Sequence, residues 1–337
     1  MRPEILPTHT AALFDAAVER AVALLRAGEI VALPTETVYG LSANAFDPAA
    51  VEKIYQAKGR PAHNPIIVHV ASYAMAVECV AHWPESAQKL AKSFWPGPLT
   101  MVLPKSARIP QIVTAGGNTV GVRWPSHPLM QAVIAKCGFP LAAPSANRSN
   151  EISPTTAEHV RKSLGDAVPL IVDGGAANVG IESTVVDLAS ERPRILRPGM
   201  IHEESLSAAL GDLLVNGESS GGALRSPGML PKHYAPKAKL VVLDWNSAEQ
   251  LRSQIRDLKY QSADVWVIAH TEIPLQHDWR QVSVIPHDAE AFARALYAEL
   301  HRCDEEGAKL IVVEALPDDA AWRGIADRLA RAAAAES

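Results

Sequence analysis

Apolar residues recur at helical spacing over residues 11–27, and Glu29–Leu33 then reads as a short buried strand. Asp47-Pro48 is a helix start, an N-cap carboxylate followed by proline at the first helical position, and it predicts a helix through Ile54 and Tyr55 that ends near Gly59. Pro65–Val70, Leu99–Leu103, Thr119–Arg123 and Leu141–Ala143 read as strands, with a helix over Pro128–Cys137. A further helix is expected from Pro154-Thr155, capped by Ser153, and three short strands at Leu170–Val172, Thr184–Leu188 and Arg194–Leu196. Strands and helices mix without strict alternation. That pattern predicts an open, twisted, partly antiparallel α/β sheet with helices, not a doubly wound one.

The pattern breaks at residues 212–238, where Asn-Gly, Ser-Ser-Gly-Gly, Ser-Pro-Gly and several prolines supply linker chemistry. It restarts as strand Lys239–Leu243, helix 246–259, strand Val265–Ala269, helix 288–302, strand Leu310–Val313 and an Ala/Arg-rich closing helix. Strict alternation of this kind predicts a smaller Rossmann-like α/β domain. It has no G-x-G-x-x-G turn, so it is not read as a dinucleotide site. The expected organisation is a catalytic domain over 1–211, a linker or lid over 212–238, and a C-terminal domain over 239–337.

With 337 residues, 48% of them hydrophobic, the chain has enough apolar material for two cores. The formal net charge is −5 and no block of Lys/Arg occurs, which lowers the expectation of a protein that lives by binding nucleic acid. Cys79, Cys137 and Cys303 are sparse, odd in number and without a C-x-x-C pair, so buried free thiols are expected in place of disulfides or a cysteine zinc site. Met1–Thr10 has no signal-like apolar core and no stretch approaches a membrane span, so a cytoplasmic protein is expected.

Chemistry-bearing residues gather at strand ends, where open α/β sheets bind ligands. Pro34-Thr35-Glu36-Thr37-Val38-Tyr39-Gly40 follows a strand; by itself it could be a turn satisfying its own backbone. Lys58-Gly59-Arg60 sits at a helix end, followed by Pro61, His63, Asn64-Pro65 and, further on, His69. The helix dipole alone would favour Lys58 there, but not the rigid Arg-Pro and Asn-Pro frame; His69 alone reads as a core histidine. Arg123 closes a strand beside Trp124, either a carboxylate clamp or a solvated edge charge. Ala143-Pro144-Ser145-Ala146-Asn147 offers small residues and neutral hydrogen-bonding groups, with Ser153 downstream. The loop Gly174–Gly180 precedes Glu182-Ser183-Thr184 and then Arg197-Pro198-Gly199, an anion cradle in composition but not a Walker loop.

The G-x-S-x-G match at Gly217–Gly221 lies in linker composition with no strand before it, so it makes no nucleophile elbow, and no H-E-x-x-H or clustered His/Cys set is present. Acyl-enzyme chemistry and a protein-bound zinc are therefore disfavoured. A site of cations, hydroxyls and amides suits positioning and charge stabilisation, as phosphoryl and nucleotidyl transfer require.

Taken together, PTETVYGLSANA (34–45), AKGRPAHNPIIVHV (57–70), FWPGPLT (94–100), VGVRWPSHP (120–128), APSANRSNEISPT (143–155), IESTVVDL (181–188) and ILRPG (195–199) resemble the threonylcarbamoyl-AMP synthase family, whose catalytic module is the YrdC-like domain. The resemblance covers about residues 12–205; SPGMLPKHYAP (226–236) and the second domain resemble its long, two-domain form. It implies a nucleotidyltransferase that converts L-threonine, bicarbonate and ATP into threonylcarbamoyl-AMP and pyrophosphate. The product feeds the threonylcarbamoyl modification of adenosine 37 in ANN-decoding tRNAs through a separate transferase, with direct RNA binding weak or indirect. Matched residue by residue, Lys58, Arg60, Ser145 and Asn147 carry the family's catalytic signature. Arg60, Asn64, Thr119, Ser145, Ser153, Arg197 and Tyr234 fall at nucleotide positions, and Thr37, His69, Arg123, Ala143 and Ser183 at threonine positions. The resemblance further implies Mg²⁺ held by the substrate, with no protein metal site, and Glu182 as a supporting carboxylate at most. Two rival readings stand beside it: a non-catalytic RNA-binding module, disfavoured by the absence of basic runs and interleaved aromatics, and a carbamoyl-transfer or carbamoyl-phosphate-hydrolysing enzyme, distinguished by its carbamoyl donor.

Overall fold

The structure, a computed structural model, describes residues 3–211 and 234–334. The greater part of the expected linker, 212–233, lies outside the described residues, as does most of SPGMLPKHYAP. Of the described residues, 3–149 and 153–211 pack as one unit, and 150–152 with 234–334 as another. The short segment 150–152 thus groups with the second unit, which sequence reading had placed wholly inside the first domain.

The first unit is built on a ten-stranded sheet. Its strands are β1 (Glu4–Pro7), β2 (Val31–Leu33), β3 (Gly40–Asn44), β4 (Val68–His69), β5 (Leu99–Pro104), β6 (Thr119–Arg123), β7 (Leu141–Ala142), β8 (Leu170–Asp173), β9 (Thr184–Asp187) and β10 (Arg194–Arg197). They run in the order β1-β8-β2-β3-β7-β4-β6-β5-β9-β10. Pairs β1/β8, β2/β8, β4/β6 and β5/β9 are parallel and the rest antiparallel, so the sheet is mixed as expected. Helices α1 (Ala11–Arg26) and α5 (Pro128–Cys137) pack their apolar stripes on one side with Leu33, Leu141 and Val172. The other apolar cluster takes in α2 (Pro48–Lys58), α3 (Tyr73–Cys79), α4 (Glu85–Phe94), α6 (Ala157–Leu164) and α7 (Glu203–Leu210).

Local chemistry accounts for the elements that position the site. Asp47 accepts hydrogen bonds from the N–H groups of Ala49 (2.9 Å) and Ala50 (3.3 Å), with Pro48 at the first helical position of α2. Gly59 ends that helix in the left-handed region, φ 58°, and Arg60 N–H returns to Tyr55 O at 3.0 Å. This glycine-terminated cap turns the chain so that Lys58 and Arg60 leave the helix as neighbours.

Register then sets a row across the sheet: His69 pairs with Leu141 and Arg123, and Arg123 with Thr100. Thr100 pairs onward with Val185, two residues beyond Ser183. Cross-strand partners share a face.

Three expectations need correction. The strand expected over Pro65–Val70 shrinks to Val68–His69, because Pro65 has no N–H and Ile66 N–H donates to Val113 O instead of a ladder partner. The helix expected at Pro154 begins at Ala157, capped by Thr156; Ser153 does not cap it. The segment Gly40–Asn44, to which the sequence reading assigns no strand, is a full strand packed closely on its neighbour: a Cβ on Gly40 would stand 3.3 Å from that of Ala143.

The second unit is a four-stranded, all-parallel sheet of β11 (Lys239–Leu243), β12 (Val265–Ala269), β13 (Gln281–Val284) and β14 (Leu310–Glu314) in the order β11-β14-β12-β13. Helices α8 (Ala248–Asp257), α9 (Ala289–Glu305) and α10 (Arg323–Ala333) complete the Rossmann-like expectation, with β13 the strand that sequence reading missed. All three cysteines are buried free thiols, and burial pushes Cys79 up to about 12 and Cys137 up to about 11.

Candidate functional site

At the turn after β2, the Thr35 hydroxyl donates to Val38 O at 2.6 Å, so its oxygen can only accept from the Thr37 hydroxyl 2.9 Å away. Thr37 Oγ1 in turn accepts from Arg123 Nη1 at 2.9 Å. A directed chain therefore runs from the Arg123 guanidinium through two threonines to a backbone carbonyl. Glu36, from the same turn, meets Arg123 Nη2 at 2.8 Å, and Arg123 Nε donates to Gly97 O at 3.3 Å. Of the five guanidinium N–H groups, hydrogen bonds engage two, on Nε and Nη1, while Nη2 meets Glu36 as an ion pair and has no hydrogen-bond partner.

The Arg123–Glu36 pair is buried, with side-chain exposures of 4% and 8%. Burial works to raise the Glu36 carboxyl, but the Arg123 charge and hydrogen bond, with backbone N–H groups of Glu36 and Ser126, hold it below the ordinary range. Beside Arg123, His69 is driven down to about 3, first by burial and then by the neighbouring cation, so its imidazole is neutral. Its Nδ1 is buried with no hydrogen-bond partner.

Across the row, Ser183 Oγ lies 2.8 Å from Thr100 Oγ1, and Arg197 clasps Ser183 with bonds to its carbonyl from Nε (3.1 Å) and Nη2 (3.0 Å). Gly199 is required beside it, since a Cβ there would meet Thr184 N at 2.6 Å. Ser153 donates to Glu182 Oε1 at 2.5 Å. Sequence reading placed Ser153 at a helix cap; the structure places it on this carboxylate. The glycine-rich loop joins the first turn through Val179 N–H, which donates to Glu36 O at 2.7 Å.

Lys58 is almost fully buried and donates to the carbonyls of Ser145 (2.6 Å) and Asn147, with Asn147 Oδ1 at 3.5 Å. Ser149 N–H completes the tie to Lys58 O at 2.9 Å. Ser145 also bridges Gly40 in β3, and Ala143 N–H donates to Ile67 O at 3.0 Å, so this loop is fixed from both sides. Arg60 Nε and Nη2 donate to the carbonyls of Asn64 (3.0 Å) and Pro65 (2.7 Å), and the Tyr55 hydroxyl adds a bond to Asn64 O at 3.1 Å. The Asn64 side-chain amide is fully buried, and neither its oxygen nor its nitrogen has a hydrogen-bond partner.

The structure thus brings Thr37, His69 and Arg123 together, links Ser183 with Arg197, and ties Lys58 to the Ser145–Asn147 loop. Thr119 stands at the other end of β6, four residues or about 13 Å from Arg123 at a strand's rise. Tyr234 belongs to the second unit, where its ring packs 6.0 Å from Tyr297 with the Arg328 guanidinium 5.5 Å away. Sequence reading gave no role to Glu36, Thr35 or Thr100. The adjacency of Glu36 to Thr37 was visible, but the partner that gives it meaning lies 87 positions away on another strand. Among the described residues no cluster of His, Cys, Asp and Glu is arranged to hold a metal ion, and no helix is long and apolar enough to cross a membrane.

Comparison with known proteins gives the family of the chain. Residues 23–199 match the family described as "Telomere recombination", and residues 201–334 match "Threonylcarbamoyl-AMP synthase, C-terminal domain". The threonylcarbamoyl-AMP synthase of Pyrococcus abyssi is 39% identical over 93% of this chain and 92% of its own length. That of Bacillus subtilis is 42% identical over 95% of this chain and 93% of its own. The crystal structure of Pyrococcus abyssi Sua5 complexed with L-threonine superposes with a TM-score of 0.88 at 36% identity, covering 99% of this chain and 98% of that one.

Proposed function

The chain belongs to the threonylcarbamoyl-AMP synthase family in its two-domain form, and from that premise we propose that it converts L-threonine, bicarbonate and ATP into threonylcarbamoyl-AMP and pyrophosphate. The observation that carries the reading at this site is a set of buried polar atoms without protein partners, the Asn64 amide and His69 Nδ1, set among cations and hydroxyls. Burying such atoms unpaired costs free energy, and a bound substrate supplies what the chain withholds.

In this reading the threonine carboxylate takes N–H groups of Arg123 that the chain leaves without a hydrogen-bond partner. Thr37, neutral His69, Ala143 and Ser183 shape the surrounding pocket and meet the hydroxyl and methyl groups. The neutral threonine amine bonds to the carbon of CO2 and gives up a proton, forming a carbamate; from bicarbonate the same bond forms as a C–O bond breaks, and the departing hydroxide takes that proton and leaves as water. A carbamate oxygen then attacks the α-phosphorus in line, the bond to the bridging oxygen breaks, and pyrophosphate leaves. Lys58 holds the Ser145–Asn147 loop against the nucleotide, while Arg60, Asn64, Ser153 and Arg197 hold its phosphates and ribose. Thr119, at the far end of β6, suits the distant part of a nucleotide. No strong general base is needed where positioning and charge stabilisation carry the step.

Magnesium enters with ATP, held by phosphates and water, a mode that asks for few protein ligands and fits a site whose carboxylates Glu36 and Glu182 are already engaged with Arg123 and Ser153. The product is a mixed anhydride that water destroys, so it is handed to a separate tRNA threonylcarbamoyl transferase for adenosine 37 of ANN-decoding tRNAs. The cytoplasm is the compartment where ATP, bicarbonate and tRNA meet. Pyrophosphate release measured with each of the common amino acids tests the reading. Release dependent on threonine alone supports it, and release indifferent to the amino acid rejects it.

A further inference from the structure

Among the described residues Glu36 is the one carboxylate in direct contact with Arg123, and nothing in the reaction as derived above uses it. Its carboxylate lies 2.8 Å from Nη2 of Arg123, and both side chains are more than nine-tenths buried. The remaining charged group recorded around Arg123 is absent by titration: His69 is neutral. His127, the other imidazole facing Glu36, is driven down by burial against the pull of that carboxylate. The guanidinium assigned to the threonine carboxylate is therefore one half of a fixed ion pair, not a bare cation.

Resting on the reading of this site as the threonine site, we propose that Glu36 is its specificity-determining and positioning residue, selecting a net-neutral, zwitterionic amino acid over a carboxylate anion of the same shape. Two effects combine. Thr37 and Gly97 take hydrogen bonds from Nη1 and Nε, and Glu36 stands against Nη2 as an ion pair, so the guanidinium plane is held in place while donors remain for a planar, bidentate carboxylate. The Glu36 charge also offsets that of Arg123 and repels a second carboxylate brought onto the same guanidinium. A ligand that carries its own ammonium cancels this repulsion; one without it does not. In a buried site such charge terms act with little screening. The pair thus gives up raw affinity for carboxylates in exchange for rejection of organic acids, a selection by repulsion as well as attraction.

The test compares L-threonine with 2,3-dihydroxybutanoate, the anion with a hydroxyl in place of the amine, as substrate and competitive inhibitor in threonine-dependent pyrophosphate release by the full chain. The wild type is expected to hold the anion at least about tenfold more weakly than threonine. In Glu36→Gln, which keeps the shape and removes the charge, that discrimination is expected to fall at least about tenfold, while Glu36→Asp restores it with a raised KM for threonine. A Glu36→Gln enzyme that loses affinity for both ligands in the same proportion overturns the proposal, because a purely structural role weakens both alike. Should Glu36→Gln fail to fold, the wild type still decides: equal affinity for the anion and threonine overturns it, and marked preference for threonine upholds it. If the wild type shows no threonine-dependent release at all, the functional reading itself fails. If it does and the ratio is insensitive to Glu36, only this inference fails.

Discussion

Lys58 donates to the carbonyl of Ser145 at 2.6 Å, which makes a cation at a helix end the pin of a loop 87 residues away. The ammonium has three donors and finds carbonyl oxygens of Ser145 and Asn147 within reach in a site with almost no solvent. Lys58→Met is expected to take the ammonium donor away from both carbonyls and to cost on the order of 2 kcal/mol, with a fall in pyrophosphate release of at least about a hundredfold. Lower thermal stability together with lost turnover checks it; unchanged turnover would show that the loop holds itself.

The Arg123 fork predicts a separation of substrates. Arg123→Lys keeps the charge and loses the planar pair of donors, and the KM for threonine is expected to rise at least about tenfold while that for ATP changes little. Steady-state kinetics with each substrate varied in turn reads this directly. A rise in both by the same factor would place Arg123 in the scaffold instead.

Asn64 predicts the opposite signature. Its amide is buried with neither end hydrogen-bonded, so the folded chain gains little from it. Asn64→Ala is expected to change stability by no more than about 1 kcal/mol, the small cavity set against the removed unpaired groups, and to raise the KM for ATP about tenfold. Calorimetry and kinetics on the same preparation separate the two effects.

Acid should weaken the fold in a defined window. His69 is lowered to about 3 from an ordinary value near 6.5, so the unfolded chain binds the extra proton and stability rises with pH between those limits. The contribution is therefore complete above about pH 6.5 and is lost progressively as pH falls toward 3. Glu36, also held low, acts in the same direction below about pH 4.5. Denaturant titrations of wild type and His69→Asn across pH 4 to 7 should show a shallower pH slope in the variant; identical slopes would mean that His69 is not buried neutral.

Much of this was legible before any coordinate. Strands Thr119–Arg123, Lys239–Leu243 and Val265–Ala269, and helix Pro128–Cys137, fall where apolar periodicity and capping residues place them. Those signals are local, and local rules suffice. Gly40–Asn44 was missed because Gly-Leu-Ser-Ala-Asn carries no strand propensity; tertiary packing against β2 and β7 makes it a strand. The site divides in the same way. Which residue types matter is written in the motifs, but that Lys58 pins a loop, that Ser153 meets Glu182, and that Glu36 balances Arg123 depends on register between distant strands, which spacing along the chain does not encode.

The most direct test of the central claim follows one carbon atom. The full chain is incubated with ATP, threonine and ¹³C-bicarbonate, and the products are separated and weighed by mass spectrometry. The account predicts a species containing AMP, threonine and the labelled carbon, formed one-for-one with pyrophosphate and lost in Arg123→Ala. Pyrophosphate without label in an AMP conjugate, or a labelled conjugate formed equally well without threonine, would contradict it.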